Sequence, residues 1–323
     1  MIKELTIAFL GLGVVGSQLL EYILNNKSSI LESHNIQINI GKIFVRDTKK
    51  QRSIDLSTLS LTNRPYEALE NADIVIECLG GNGVELTREL VLSAIQMKKS
   101  VIMSSKKCLA LYGQEIMAEV ERNDTLFCYD GSVGGGIPIS RVLNSIAKGE
   151  QINRIYGICN ATSNYILGEM GENKVSFDTA LKNARQKGYA ENDVDEDVDG
   201  YDTLYKTVIL TAFGLKQWVE PTKIIPKSIR NISVEDLDFA ESRGTVIKSI
   251  FSIEDSLNGL SFHVGPVEVK KDSLLAAVKG NNNIIIIESS ESGERAFYGQ
   301  GAGARPTASA MLDDLFFILE KQL

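Results

Sequence analysis

Along residues 5 to 24 the apolar positions change period within a short span. Leu5 to Leu10 forms a β-rich apolar run, and after a glycine turn Val15, Leu19, Leu20, Ile23 and Leu24 fall at helical spacing. The pattern predicts strand, turn, helix. Ile36 to Val45, Asp73 to Cys78, Ser100 to Met103 and Leu126 to Tyr129 are further strand-like runs, each ending in a polar or glycine-rich segment. In an open parallel sheet ligands bind at the carboxyl ends of the strands, so those segments are where chemistry is expected.

The first turn carries Gly11, Gly13 and Gly16 as GxGxxG, with Val14 and Val15 opening the helix. The first two glycines permit a tight turn and close approach of a pyrophosphate to the helix N-terminus, and the third lets helix and strand pack closely. The alternative is a glycine turn that binds nothing; the strand-to-helix context favours a dinucleotide. The second strand leads into Arg46, Asp47, Thr48, Lys49, Lys50, Gln51 and Arg52, where such a fold meets the adenosine ribose. Its four basic side chains suit a 2′-phosphate and place NADP ahead of NAD. Asp47 suits an unphosphorylated ribose, and a solvated basic turn is the bland alternative. Leu79, Gly80 and Gly81, with Ser104 to Lys107, are expected to line the nicotinamide side, which makes Lys107 a candidate for chemistry.

The later half reads differently. Asp130-Gly131-Ser132-Val133-Gly134-Gly135-Gly136-Ile137-Pro138 exposes backbone groups: N–H groups that suit an anion, carbonyls that suit a cation, or simply a hinge. Residues 191 to 202 hold seven carboxylates in twelve positions. Asp195, Asp197, Asp199 and Gly200 match the opening of a calcium loop, but Lys206 stands where a bidentate glutamate is needed, so that reading fails. The run instead enters a helix with Asp199 as expected N-cap. On that helix Asp202 and Lys206 share a face at i, i+4, and Val208, Ile209, Ala212 and Phe213 continue an apolar stripe; a surface ion pair would give the same spacing.

Composition narrows the field. The 323 residues suit two domains, and 43% hydrophobic with 24% charged residues is ordinary for a globular chain. A net charge of −8 argues against nucleic acid and anionic membranes and favours a small-molecule partner. The N-terminus runs from Met1 into a strand without a leader pattern, which predicts the cytoplasm. Cys78, Cys108, Cys128 and Cys159 form no CxxC pair and are expected as buried reduced thiols. With only His34 and His263, neither with a plausible nucleophile close by in sequence, a hydrolase triad is a poor fit.

The chain resembles the homoserine dehydrogenase family from Leu5 to its final helix. The resemblance rests on the GxGxxG turn, Glu77 to Gly81, Gly131 to Pro138, Gly157-Ile158-Cys159-Asn160-Ala161-Thr162-Ser163-Asn164-Tyr165-Ile166-Leu167, and Gly188 to Lys206. Gly301-Ala302-Gly303 with Pro306-Thr307-Ala308-Ser309-Ala310 completes it. It implies an α/β protein with a Rossmann-type doubly wound parallel sheet, residues 1–130 and 300–323, and an α+β substrate and dimerisation domain with a mixed sheet, 131–299. The chain ends at Leu323, so no C-terminal regulatory domain is expected.

By the same resemblance Lys107 and Lys206 are the active-site lysines and Asp202 the carboxylate beside the second. Glu191 pairs with the substrate ammonium, while backbone N–H groups around Gly136 or from Asn160 to Thr162 hold its carboxylate. Gly301 belongs to the segment that returns to the cofactor. A monovalent cation falls on Asp130 and the carbonyls of Val133, Gly135 and Ile137. The implied reaction interconverts L-homoserine and L-aspartate 4-semialdehyde by hydride transfer with NADP or NAD, in a homodimer. A lysine moves the proton at the substrate oxygen, tuned below its free value of roughly 10.4 by a nearby ammonium and burial. The chain departs from the family pattern at Lys106 (usually Asn), Asp130 (Glu), Ala161 (Gly) and Val194 (Pro). The alternatives are a relative acting on another amino-acid semialdehyde and a non-catalytic dinucleotide sensor, but the retained Lys107, Asp202, Lys206 and Glu191 favour an enzyme.

Overall fold

Two units account for the chain in this computed structural model, which describes residues 2–52, 54–80, 83–191 and 193–321. One comprises Met1–Ser132 with Ala304–Leu323, the other Val133–Gly303.

The first unit begins with β1 (Lys3–Leu10), α1 (Val14–His34), β2 (Ile36–Phe44), β3 (Leu61–Thr62) and α2 (Pro65–Leu69). It continues through β4 (Ile74–Glu77), α3 (Val84–Gln96), β5 (Ser100–Met103), α4 (Lys106–Asn123) and β6 (Phe127–Cys128). The strands form one parallel sheet in the order β3-β2-β1-β4-β5-β6. Ile7, Phe9, Ile74, Ile76 and Ile102 are fully buried, as a parallel sheet covered on both faces requires. The direction of strand order reverses at β1 and β4, where Leu10 sits opposite Glu77, and Glu77 in turn opposite Met103. Residues just past these three, Gly11, Cys78 and Ser104, therefore share one level at the carboxyl edge, the topological switch point where a ligand is expected.

The second unit runs α5 (Ile139–Gly149), β7 (Ile152–Ile158), α6 (Ala161–Asn173), α7 (Phe177–Gln186), α8 (Asp195–Val198) and α9 (Tyr201–Gly214). After α10 (Val234–Ser242) come β8 (Thr245–Ser256), β9 (Gly259–Lys270), α11 (Leu274–Ala277), β10 (Asn282–Ser289) and β11 (Gly293–Gln300). The sheet order is β11-β10-β7-β8-β9, and every pairing is antiparallel. A mixed sheet was the expectation; short hairpins at β8–β9 and β10–β11 force antiparallel neighbours, and β7 runs opposite to both strands it joins. Helix α9 is buried on nearly every side rather than along one stripe, and it packs so closely on β7 that a Cβ at Gly214 would lie 2.5 Å from Ile155 Cδ1.

The last helix, α12 (Ala304–Lys321), returns to the first unit, where Met311, Leu315, Ile318 and Leu319 join the core beside α1. Residues 300–303, expected with that tail, belong to the second unit, because Gly301 N donates to Asn281 O and Gly136 N to Gln300 O. The N-cap of α9 is Gly200 at φ +84°, not Asp199. Asp199 closes α8 instead, where its carboxylate is taken by Arg230 and Ser228. Among the described residues no helix is long and apolar enough to cross a membrane.

Candidate active site

In the first unit the glycine turn is shaped by its neighbours. Gly11 sits at φ +100°, with room for no Cβ: one would stand 2.3 Å from Cys78 O. Gly16 is nearly as tight, 2.9 Å from Gly11 O, so helix and strand close on each other there. Gly13 faces open space and caps α1 without a side-chain bond, Val14 is 78% exposed, and the first turn of α1 has no acidic residue. A helix start with orphan N–H groups, no anion of its own and no side chain in front fits a pyrophosphate.

Arg46 and Lys49 are exposed past β2. Asp47 Oδ1 accepts from Lys49 N at 2.8 Å, so its carboxylate shapes the turn. Arg52, only one of four basic residues in the sequence pattern, donates to Leu12 O (3.2 Å), Lys50 O (2.9 Å) and Asp47 O (3.0 Å), tying this turn to the glycine turn.

Leu79 is half-buried and Gly80 exposed at φ +58°, while Gly81 lies outside the described residues. Ser104 Oγ donates to Glu77 O. Lys106 and Lys107 are half-buried in the first turn of α4, behind the N-cap Ser105. Two ammonium groups at the positive end of a helix oppose its dipole, by about 0.3–1 kcal/mol each.

In the second unit the acidic run and the 157–167 segment meet. Lys206 Nζ donates to Asp202 Oδ2 and to Cys159 O, both at 2.7 Å, with the side chains 12% and 6% exposed. The same Asp202 oxygen accepts from Asn160 Nδ2 at 2.8 Å. Asn160 also donates to Asp197 Oδ1 (2.7 Å) and caps α6 by accepting from Ser163 N (2.8 Å). One amide thus joins the helix that opens at Ala161 to the carboxylates of α8 and α9. Thr162 Oγ1 is spent on Tyr189 O and Ser163 Oγ on Asp197 O. The surface-pair reading of Asp202 and Lys206 gives way: the pair is buried and networked.

Glu191 is exposed, its carbonyl taken by Arg185 Nε at 3.3 Å. Val194 is buried in a cluster with Tyr165, Val198 and Ile229, so an apolar anchor holds the acidic loop. Arg230 grips that loop from outside, with Nε on Asp199 Oδ1 at 2.9 Å and Nη2 on Asp195; its guanidinium holds the Asp199 carboxyl below the usual range. Ala161 takes ordinary helical backbone, so a side chain is tolerated there.

In the glycine loop Gly134 and Gly135 adopt φ +85° and +62°, Gly136 is exposed, and Ile137 O accepts from Ile139 N. Gly301 lies against Asn283, whose side chain fills the place of a Cβ. Asp130 is fully buried and its N–H donates to Asp314 Oδ2 at 2.9 Å. The four cysteines are buried free thiols, and burial pushes Cys108 and Cys159 up to about 12. Arg230 and the Cys159 carbonyl were not singled out from the sequence, nor was the bond from Asn160 to Asp197 expected; these partners lie more than thirty positions apart, where spacing carries no signal.

Residues 138–316 match the family model described as homoserine dehydrogenase, and residues 11–130 the model for the homoserine dehydrogenase NAD binding domain. Homoserine dehydrogenase of Bacillus subtilis (strain 168) is 32% identical over 320 residues, covering 98% of this chain and 73% of that protein. The crystal structure of a homoserine dehydrogenase from Thiobacillus denitrificans superposes with a TM-score of 0.92 at 33% identity, over 98% of this chain and 73% of that one. A putative homoserine dehydrogenase from Archaeoglobus fulgidus is covered to 99%, with 98% of this chain, a TM-score of 0.85 and 26% identity. The glycine turn at the switch point and the buried lysine–aspartate pair thus stand in a chain that belongs to the homoserine dehydrogenase family.

Proposed function

We propose that the protein interconverts L-homoserine and L-aspartate 4-semialdehyde, with NADP as the favoured dinucleotide. The observation that carries this reading is the buried Lys206–Asp202 pair, joined through Asn160 to the start of α6. A bound nicotinamide dinucleotide supplies the hydride acceptor or donor. Gly11, Gly13, Val14, Val15 and Gly16 admit its pyrophosphate, Arg46 and Lys49 offer cations to a 2′-phosphate, and Leu79, Gly80 and Ser104 line the nicotinamide side. Gly301 is retained only as a neighbour of the glycine loop, since it packs on Asn283.

Lys206 is assigned the proton at the substrate oxygen. Two of its three N–H groups are used, which fixes the direction of the ammonium, and Asp202 keeps a carboxylate against it when the charge changes. Lys107 is assigned as the second active-site lysine. Glu191, exposed at the mouth of the acidic loop, pairs with the substrate ammonium. For the substrate carboxylate, the backbone N–H groups of Ala161 and Thr162 open α6 without intrahelical acceptors, and Gly136 offers a further exposed segment. The side chains of Asn160 and Thr162 are occupied, so their contribution is to hold that helix start in place.

Oxygen donors from Asp130 and the carbonyls of Val133, Gly135 and Ile137 suit a hard monovalent cation by chemistry. A homodimer is proposed for the assembly. Activity is tested by reduced-nicotinamide formation from L-homoserine in the wild type and in Lys107→Ala and Lys206→Ala. Loss in both variants with dinucleotide binding retained supports the assignment; full rate in both contradicts it.

A further inference from the structure

Glu77 ends β4 with its side chain fully buried, an expensive place for a carboxylate. Burial pushes its carboxyl above the usual range, opposed by three backbone N–H groups. Oε1 accepts from Leu79 N at 2.7 Å, and Oε2 from Ser105 N at 2.9 Å and Ser104 N at 3.2 Å. The donors lie on two different loops, the one leaving β4 and the one leaving β5. The ladder between these strands has its last paired rung at Glu77 and Met103, so the carboxylate extends the connection past the end of the sheet. The second loop ends at Ser105, whose Oγ caps α4 at Cys108 N, and Lys106 and Lys107 follow in the first turn.

The geometry points to Glu77 as a positioning residue for hydride transfer: one carboxylate sets the spacing of the two nicotinamide-side loops and of the helix start that carries Lys107. An apolar residue would fill the core equally well but leave the Leu79 and Ser105 amides without this acceptor, while Ser104 N keeps the Glu77 carbonyl. This inference rests on the proposed placement of the nicotinamide, so the experiment separates the two.

Amide hydrogen exchange of the wild type with and without NADPH comes first. Protection at residues 79–80 and 104–107 on binding supports the underlying placement, and its absence overturns that placement together with the inference. In the free wild type, Leu79 and Ser105 amides are expected to exchange through one shared opening; rates differing more than about tenfold, an opening free-energy gap of about 1.4 kcal/mol, contradict a single lock.

Glu77→Gln then replaces an accepting oxygen by an NH2 group, so one loop loses its acceptor. The expected result is a single-turnover hydride-transfer rate lower by about 10²-fold, as for a small misplacement of reacting groups. NADPH affinity, set at the glycine turn, changes only a few-fold. Glu77→Asp is expected to recover part of the rate and substitutes for the comparison if Glu77→Gln does not fold. A lower urea midpoint with an unchanged hydride-transfer rate would make Glu77 merely structural and overturn the inference.

Discussion

Lys206 and Asn160 show how much of the site rests on single groups. Removing the Lys206 ammonium leaves Asp202 buried with the Asn160 amide but without its ion partner. Lys206→Ala is therefore expected to lower kcat by at least about 10²–10⁴-fold and to cost roughly 3–5 kcal/mol of stability, read by steady-state kinetics and urea unfolding. Asn160→Ser and Asn160→Asp separate capping from electrostatics. Both retain an N-cap acceptor for α6, worth about 1 kcal/mol, but the aspartate sets a third carboxylate against Asp197 and Asp202. Asn160→Asp should be the more damaging to kcat/KM, and equal effects would show that only the cap matters. The i, i+4 spacing made the Asp202–Lys206 pair legible from sequence alone. Its burial and its link to Asn160 were not, because they arise where β7 ends against α9, more than forty positions apart in the chain.

At the scale of elements, the glycine turn gives a sharp contrast between two neighbours. Gly11→Ala imposes a side chain at φ +100° and 2.3 Å from a carbonyl, so loss of cofactor binding should come with loss of stability of about 1–3 kcal/mol. Gly13→Ala has open space and φ −82°, so the unliganded melting temperature should hold while the increase given by NADPH disappears. If both variants melt alike and both respond to NADPH, the turn does not hold the pyrophosphate. Elsewhere, Glu150 ties the β10–β11 hairpin to the start of β7 through Ser289, Ser292 and Arg295, and bonds from Ser289 and then Ser292 hold its carboxyl down to about 2. A depressed folded-state pKa contributes stability above the usual carboxylate range and loses it as pH falls from about 4.5 toward 2. Glu150→Gln should flatten the acid limb of a denaturation-against-pH curve, and an unchanged limb would place the acid sensitivity elsewhere. The strands of the first unit were legible because apolar runs, glycine and helical period change at their borders. The N-cap of α9 was misread because Asp199 has the right chemistry, yet the chain reverses one residue later at a left-handed glycine, leaving that carboxylate to Arg230.

For the whole molecule, the parallel order β3-β2-β1-β4-β5-β6 and the GxGxxG turn at its switch point account for the dinucleotide unit. The family resemblance implied a mixed second sheet, whereas every pairing is antiparallel; which strands pair, and in which direction, is a tertiary choice that alternation along one strand does not encode. Family membership covers nearly the full chain, whereas the proposed NADP preference rests on a few exposed side chains past β2. The proposed chemistry is oxidation of L-homoserine through Lys206. The most direct measurement is the rate of reduced-nicotinamide formation from L-homoserine by wild type and Lys206→Ala, with NADP and NAD compared at mildly alkaline pH. Wild-type turnover is expected to be faster with NADP and lost in the variant while dinucleotide still binds; absence of wild-type turnover with dinucleotide bound, or an undiminished rate in Lys206→Ala, would contradict the role proposed for Lys206.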